Sequence, residues 1–313
     1  MNYRRILALD GGGIKGIFAA SFLATLEDQI DNPIGSYFDL VSGTSTGGII
    51  ALALGLGLSA RDVLQMYSDL GDAVFHGDGI RSRLRHLIRR KYNSLPLQNA
   101  LEKVFEDHVL GDSSLRLVIP AFNLQNGTVH VYKTRHHPRF RMDHKEKVVT
   151  VALATSAAPT YFPPHRSPSG IVLADGGMWA NNPVAVAAVE AIGVLGWERN
   201  SLKILSIGCT REAVDVSGGS SFWSGKFYWA SRVADLFLAG QSSGALGMAD
   251  WLVGRDNLHR INETVAPGLF SLDSVQQIDD LQGLGAYSAR FHAPRLTPIF
   301  LSVPAEPFSP AAT

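Results

Sequence analysis

Cysteine is almost missing from this sequence, which contains a single one, Cys209, among 313 residues. One cysteine excludes an intramolecular disulfide. The thiol stands in the apolar stretch "KILSIGCT", so we expect it to be a buried packing residue and not a reactive group. The fold must therefore be stabilised by an apolar core, and the 46% of hydrophobic residues suffice to form one.

Net charge is missing too, since 28 lysines and arginines balance 28 aspartates and glutamates. A balanced chain gives no electrostatic reason to bind a nucleic acid polymer. Histidine, cysteine and carboxylate residues do not recur with the spacing of a metal site. We therefore predict an activity that needs no metal and no other cofactor.

Long hydrophobic runs are also lacking. The longest uncharged apolar stretch, "GGIIALALGLGLSA", is too short and too rich in glycine to span a bilayer. The apolar residues after the N-terminal arginines end at Asp10, too early for a secretory signal. We expect a cytoplasmic protein that does not cross a membrane.

The chain does contain a regular alternation of apolar strands and helices. "RRILALD", "YFDLVSG", "GIVLAD" and "KILSIGC" each predict a buried strand, and a hairpin is predicted around Asn126-Gly127. This alternation predicts an α/β fold with a mostly parallel sheet covered on both faces. Without linkers or repeats, we expect one domain over residues 1–303 and a disordered tail over 304–313.

The pentapeptide "GTSTG" at residues 43–47 fits the pattern G-x-S-x-G between a strand and a helix. The glycines permit a tight turn, so the hydroxyl of Ser45 projects from the sheet edge as a nucleophile would. The following helix directs its N-terminus at Ser45, which favours negative charge developing there.

Three consecutive glycines, Gly11, Gly12 and Gly13, follow the first strand in "GGGIKG". Exposed glycine N–H groups would form an oxyanion hole for the acyl transfer that Ser45 initiates. The same letters fit a dinucleotide-binding loop, but the acidic residue at the required distance, Asp31, follows a helix and not a strand. We favour the oxyanion hole.

The stretch "LADGGMWANNP" ends a strand at Asp175. A carboxylate at a strand end would serve as the base of a serine nucleophile, and the alternative is a side chain that only caps the turn. A Ser–Asp–His triad would need a later histidine. His259 and His292 are available, but neither stands in a glycine-rich turn at a strand end, so we predict a dyad.

The blocks "DGGGIKG", "GTSTG" and "DGG", with "ATSAAPTYFPP" before the last, closely resemble the patatin-like phospholipases. The resemblance implies a three-layer α/β/α fold and metal-free hydrolysis of lipid acyl esters by a Ser–Asp dyad. It implies that Ser45 is the nucleophile, that Asp175 is the base, and that Gly11, Gly12 and Gly13 form the oxyanion hole. The chain has "DGG" where many members have "DGA".

A narrower resemblance concerns "GQSSGALGMADWLVGRDNLHRIN", which is similar to bacterial patatin-like effectors of anti-phage defence. It implies a cyclic nucleotide activator and a phospholipid membrane as substrate. The enzyme would then be peripheral to the inner membrane when active, and homo-oligomerisation is left open.

Two stretches are candidates for contact with lipid. A basic, leucine-containing run would bind anionic headgroups or the phosphates of an activator, unless it is only a solvated face; its cations are Arg81, Arg83, Arg85, Arg89, Arg90 and Lys91. An aromatic stretch would anchor the protein at an interface or form a lid, unless it packs in the core; its members are Phe222, Trp223, Phe227, Tyr228 and Trp229.

Two other classes of function remain as alternatives. One is a lipid- or nucleotide-binding module that has kept the fold without the chemistry, and the other is a constitutive general esterase or lipase. A serine-directed fluorophosphonate would label Ser45 in an enzyme but not in a binding module.

Overall fold

The computed structural model of the chain describes residues 3–75, 92–212, 233–266, 268–270 and 277–312. Its strands are β1 (Arg4–Leu9), β2 (Leu40–Gly43), β3 (Leu117–Asn123), β4 (Thr128–Lys133), β5 (His165–Arg166), β6 (Val172–Asp175), β7 (Leu202–Ile207), β8 (Arg211–Glu212), β9 (Leu258–Ile261) and β10 (Thr264–Val265). Its α-helices are α1 (Gly16–Glu27), α2 (Thr46–Gly55), α3 (Ala60–Phe75), α4 (Leu95–Phe105), α5 (Val148–Thr155), α6 (Gly177–Ala180), α7 (Val184–Val189), α8 (Val233–Val253) and α9 (Ile278–Phe300).

Eight strands form a central sheet in the order β5-β6-β3-β2-β1-β7-β9, with β4 paired to the remaining edge of β3. The five strands β3, β2, β1, β7 and β9 are parallel to their neighbours in that series. The predicted hairpin is present as the antiparallel pair β3 and β4. The prediction of an α/β fold with a mostly parallel sheet is confirmed.

Helices cover both faces of this sheet, because alternate strand residues point to opposite sides. In β1, Leu7 and Leu9 belong to a core formed with α1, α2, α3, α4, α5 and α9. Ile6 and Ala8 belong to a second core formed with α7 and α8. Strands that are apolar on both faces are typical of a buried parallel sheet. The three layers implied by the resemblance are therefore present.

Two strands end opposite each other along one edge of β3. β2 runs parallel to β3 and pairs with its start at Leu117 and Val118, whereas β6 runs antiparallel and pairs with Ala121 to Asn123. β4 occupies the other edge of β3. The carboxyl ends of β2 and β6 therefore point toward each other across Pro120. A proline is suited to this position because it has no N–H to offer a ladder.

The C-terminal segment over residues 304–312 differs from the predicted disordered tail. The Ala305 N–H donates to the Ser36 carbonyl at 2.8 Å, and the Ala311 N–H donates to the Arg135 carbonyl at 2.7 Å. Glu306 accepts a hydrogen bond from Arg4 at 3.0 Å. These partners are far away in the sequence, so the local proline-rich composition gave no indication of them.

In the part of the chain that the structure describes, no helix combines the length and the hydropathy that a membrane crossing needs.

Candidate active site

Ser45 occupies a strained turn between β2 and α2. Its backbone has φ 54° and ψ −121°, a conformation that residues other than glycine rarely adopt. Such strain costs about 1–3 kcal/mol and is typical of active sites. The flanking glycines are required, because a Cβ on Gly43 would overlap the carbonyl of Gly47. The predicted sharp turn with serine at its apex is therefore present.

The N-terminus of α2 packs directly on the carboxyl end of β1. A Cβ on Gly47 would overlap the Leu9 carbonyl, and the Thr46 hydroxyl donates to the Gly13 carbonyl at 2.8 Å. The glycine loop and the serine turn are thereby held against each other.

Asp175 ends β6 and is buried beside Ser45. Its carboxylate accepts the Gly177 N–H at 2.6 Å. Burial raises the pKa of Asp175 to about 6, although the Gly177 N–H and the nearby Ser45 hydroxyl lower it. Such a carboxylate is ionised at neutral pH and yet more basic than a solvated aspartate, which suits a general base.

Thr155, the last residue of α5, forms hydrogen bonds to both the Ser45 turn and the segment that follows Asp175. Its hydroxyl donates to the Pro120 carbonyl at 2.6 Å and accepts the Ser45 N–H at 3.0 Å. Its own carbonyl accepts the Gly176 N–H at 3.3 Å. One side chain thus fixes Ser45 against β3, while its backbone fixes the residue after Asp175. Thr155 stands in the stretch "ATSAAP", where the sequence alone gives no signal of this role.

The glycine loop passes directly beside Ser45. A Cβ on Gly11 would lie 3.2 Å from the Ser45 Cβ. The Gly11 N–H donates to the Asn181 carbonyl at 2.9 Å, so it is not free for an oxyanion. Within the described residues, the Gly12 and Gly13 N–H groups have no acceptor. Two of the three candidate donors remain available.

Asn181 is a second residue that the sequence reasoning did not single out. Its side-chain amide donates to the Gly11 carbonyl at 3.2 Å, and its N–H donates to the Gln241 side chain at 2.6 Å. It links the glycine loop to α8. The sequence does place it six residues after Asp175, within the quoted "LADGGMWANNP".

The histidines stand apart from this arrangement. Among the described ones, none hydrogen-bonds to Ser45 or Asp175. His259 packs edge-on against Phe300, and His292 lies 3.8 Å from Glu263. Burial lowers the pKa of both histidines.

Three further predictions can be placed. Cys209 is buried, and burial is the main cause that raises its pKa to about 12. Asp31 lies in an exposed bend after α1, not at a strand end, which disfavours the dinucleotide interpretation. Over the described residues, no group of three or more histidine, cysteine, aspartate or glutamate side chains is arranged to hold a metal ion.

Both candidate lipid-contacting stretches lie outside the described residues, so they remain predictions from sequence. They are the basic run with Arg81, Arg83, Arg85, Arg89, Arg90 and Lys91, and the aromatic run with Phe222, Trp223, Phe227, Tyr228 and Trp229.

Comparison with known proteins gives a family match over more than half of the chain. The family model described as "Patatin-like phospholipase" matches residues 7–188. A "cGAMP-activated phospholipase" of Pseudomonas aeruginosa is 37% identical over 84% of this chain and 79% of its own length. Proteins of the same name from Vibrio cholerae and Escherichia coli are 36% and 37% identical, over 70% and 68% of this chain and 68% and 64% of their own lengths.

Proposed function

The chain belongs to the patatin-like phospholipase family, and we propose that it cleaves acyl esters of membrane phospholipids with Ser45 as nucleophile and Asp175 as base. One observation carries the proposal. Ser45, in the strained turn at the N-terminus of α2, lies beside the buried Asp175 carboxylate, whose pKa burial raises and the Ser45 hydroxyl lowers.

Acylation begins when Asp175 accepts the Ser45 proton and Oγ attacks the ester carbonyl carbon. The carbonyl π electrons move to the oxygen, and the Gly12 and Gly13 N–H groups stabilise the resulting oxyanion. Collapse of the tetrahedral intermediate breaks the bond to the lysophospholipid oxygen. That oxygen takes the proton back from Asp175, and the acyl group stays on Ser45.

Deacylation repeats the sequence with water. Asp175 accepts a proton from the water as its oxygen attacks the acyl carbonyl carbon. The intermediate collapses, Ser45 Oγ regains the proton, and a fatty acid leaves. Neither half-reaction requires a metal, because the charge develops on an oxygen that backbone N–H groups can reach.

Regulation by a cyclic nucleotide forms part of the proposal. Three relatives that share 36–37% identity with this chain are named cGAMP-activated phospholipases. We extend that property to this chain, which would then act at the inner membrane as an anti-phage effector. The basic run over residues 81–91 stays a sequence-based prediction for the phosphate or headgroup contact.

Phospholipid vesicles and mass spectrometry test the function. The wild-type chain with cGAMP should release lysophospholipid and fatty acid, and a fluorophosphonate should label Ser45. Ser45→Ala should lose both, by several orders of magnitude in turnover. Ser156→Ala is the matched control, because its buried hydroxyl donates only to the Ala152 carbonyl of its own helix.

Each outcome has a distinct meaning. Labelling at Ser45 with lipid hydrolysis that ignores every cyclic nucleotide would leave a constitutive lipase. A folded wild-type chain without labelling or hydrolysis would indicate a binding module.

A further inference from the structure

Asp10, the residue immediately before the glycine loop, forms a buried ion pair with Arg260 of β9. Arg260 Nη1 lies 2.8 Å from Asp10 Oδ1, and Nη2 lies 2.5 Å from Oδ2. Nη1 also donates to the Ser206 hydroxyl at 2.7 Å. A two-point guanidinium–carboxylate pair fixes direction as well as distance. The end of β1 is therefore tied to a strand that it does not contact.

Strand register explains how the two side chains meet. Ala8 of β1 pairs with Ser206 of β7, and Ser206 pairs with Arg260 of β9. Asp10 follows Ala8 by two residues, so its side chain points to the same face of the sheet. The guanidinium crosses β7 over Ser206 and reaches the carboxylate on the far side.

The negative charge of Asp10 reaches the glycine loop. Gly12 packs against Cys209, since a Cβ on Gly12 would lie 2.7 Å from the Cys209 Sγ, and that Sγ lies 3.4 Å from the Asp10 carbonyl. Burial raises the pKa of the Cys209 thiol, and the charge of Asp10 raises it further, whereas Lys15 and Arg260 lower it. An anion forming beside Gly12 would be opposed by the same charge.

We propose that Arg260 is a positioning residue for the oxyanion hole: it neutralises Asp10 and fixes the base of the glycine loop, so that the Gly12 and Gly13 N–H groups meet the oxyanion without an opposing charge. This rests on the proposed function above. An unpaired carboxylate in a buried site would weaken the stabilisation that those donors provide. The arginine guanidinium supplies both the positive charge and a two-point hydrogen-bond geometry, whereas lysine would supply the charge without that geometry.

The test is a set of variants assayed on a soluble ester at alkaline pH, with kcat and KM determined separately. Burial already raises the pKa of Asp10, and the loss of Arg260 would raise it further, so an alkaline pH is needed to keep this carboxylate ionised. Arg260→Gln leaves Asp10 unpaired, and we expect kcat to fall by about 100-fold with KM within about two-fold, comparable to the loss of an oxyanion donor. Asp10→Asn combined with Arg260→Gln removes the unpaired charge and should recover at least about ten-fold of kcat. Arg260→Lys should be intermediate.

Arg4→Gln is the matched control. It breaks ion pairs at the opposite end of β1, where Arg4 Nη1 lies 2.8 Å from Asp39 Oδ1 and 3.0 Å from Glu306 Oε2. It should change thermal stability without changing kcat. Wild-type kcat in Arg260→Gln, or a double variant no faster than Arg260→Gln, would overturn the proposal.

Folding and function are checked separately. If Arg260→Gln does not fold, Ser206→Ala takes its place, because it removes only one acceptor of Nη1. It should then lower kcat by about three- to ten-fold with KM unchanged, and an unchanged kcat would refute the idea. Slow fluorophosphonate labelling of Ser45 in these variants shows that the dyad itself is intact, whereas its absence in the wild type points to failure of the proposed function.

Discussion

Asp175→Asn should inactivate the enzyme and at the same time stabilise the fold. The wild-type carboxylate is buried, and its pKa is raised from 3.8 to about 6. A raised pKa means that the folded state disfavours the ionised form, so the charge at neutral pH destabilises the protein. Asparagine has no such charge and keeps an oxygen that can accept the Gly177 N–H, but it cannot accept the proton of Ser45.

The magnitude follows from the shift of about two pKa units. At 1.36 kcal/mol per unit, the ionised carboxylate costs about 3 kcal/mol of unfolding free energy above pH 6. Asparagine should recover up to that amount. As the pH falls from 6 to 3.8, the folded state binds the proton before the unfolded state does, so the wild type regains this stability. The advantage of the variant should therefore disappear below about pH 4.

Urea denaturation of both proteins at pH 7.5 and at pH 4 measures this difference. The same ionisation should control the rate, because only the carboxylate can act as base. With a pKa of about 6, kcat/KM on a soluble ester should fall about eleven-fold below its plateau at pH 5. An Asp175→Asn variant that is less stable than wild type at pH 7.5 would refute this account of Asp175. A rate that stays flat down to pH 4.5 would refute it equally.

Two further substitutions test the supports of the site. Thr155→Val leaves the Ser45 N–H and the Pro120 carbonyl without their shared partner, so urea denaturation should show a loss of about 2–4 kcal/mol together with a lower kcat. Thr155→Ser keeps the hydroxyl and should retain most of both, and a valine variant with wild-type kcat would contradict the role of Thr155. Gly12→Ala places a methyl group against Cys209 and should slow both turnover and fluorophosphonate labelling. Combining it with Cys209→Gly should restore part of the rate, and a Gly12→Ala variant with unchanged turnover would exclude tight packing of the loop.

Local sequence patterns predicted the elements of the fold and singled out the candidate reactive groups. Ser45 and Asp175 are candidates because each stands where an apolar strand meets glycines, which is a short-range signal. The layers followed from the alternation of strands and helices. Such signals act within about ten residues, and the structure agrees with them at that scale.

The contacts between residues far apart in the sequence could not be predicted from such local patterns. Asn181 meets Gly11 across 170 residues, and Arg260 meets Asp10 across 250. Polar residues of these types are common on protein surfaces, so no local pattern distinguishes them. The Gly11 N–H looked available because its acceptor comes from so far along the chain. The placement of the C-terminal segment was missed for the same reason.

The carboxyl ends of β2 and β6 meet opposite Pro120, and this arrangement has an evolutionary consequence. The approach of Ser45 to Asp175 depends on how far β6 advances along β3, and one added residue would move its end by about 3.4 Å and turn its side chains to the other face. Insertions and deletions should therefore be rejected by selection between Val172 and Asp175. The Leu124 N–H donates to the Val172 carbonyl at 3.0 Å, so the start of the turn after β3 should be constrained together with β6. The reaction is thus encoded partly in a strand length, and that length should be more constant than the identities of the residues that compose it.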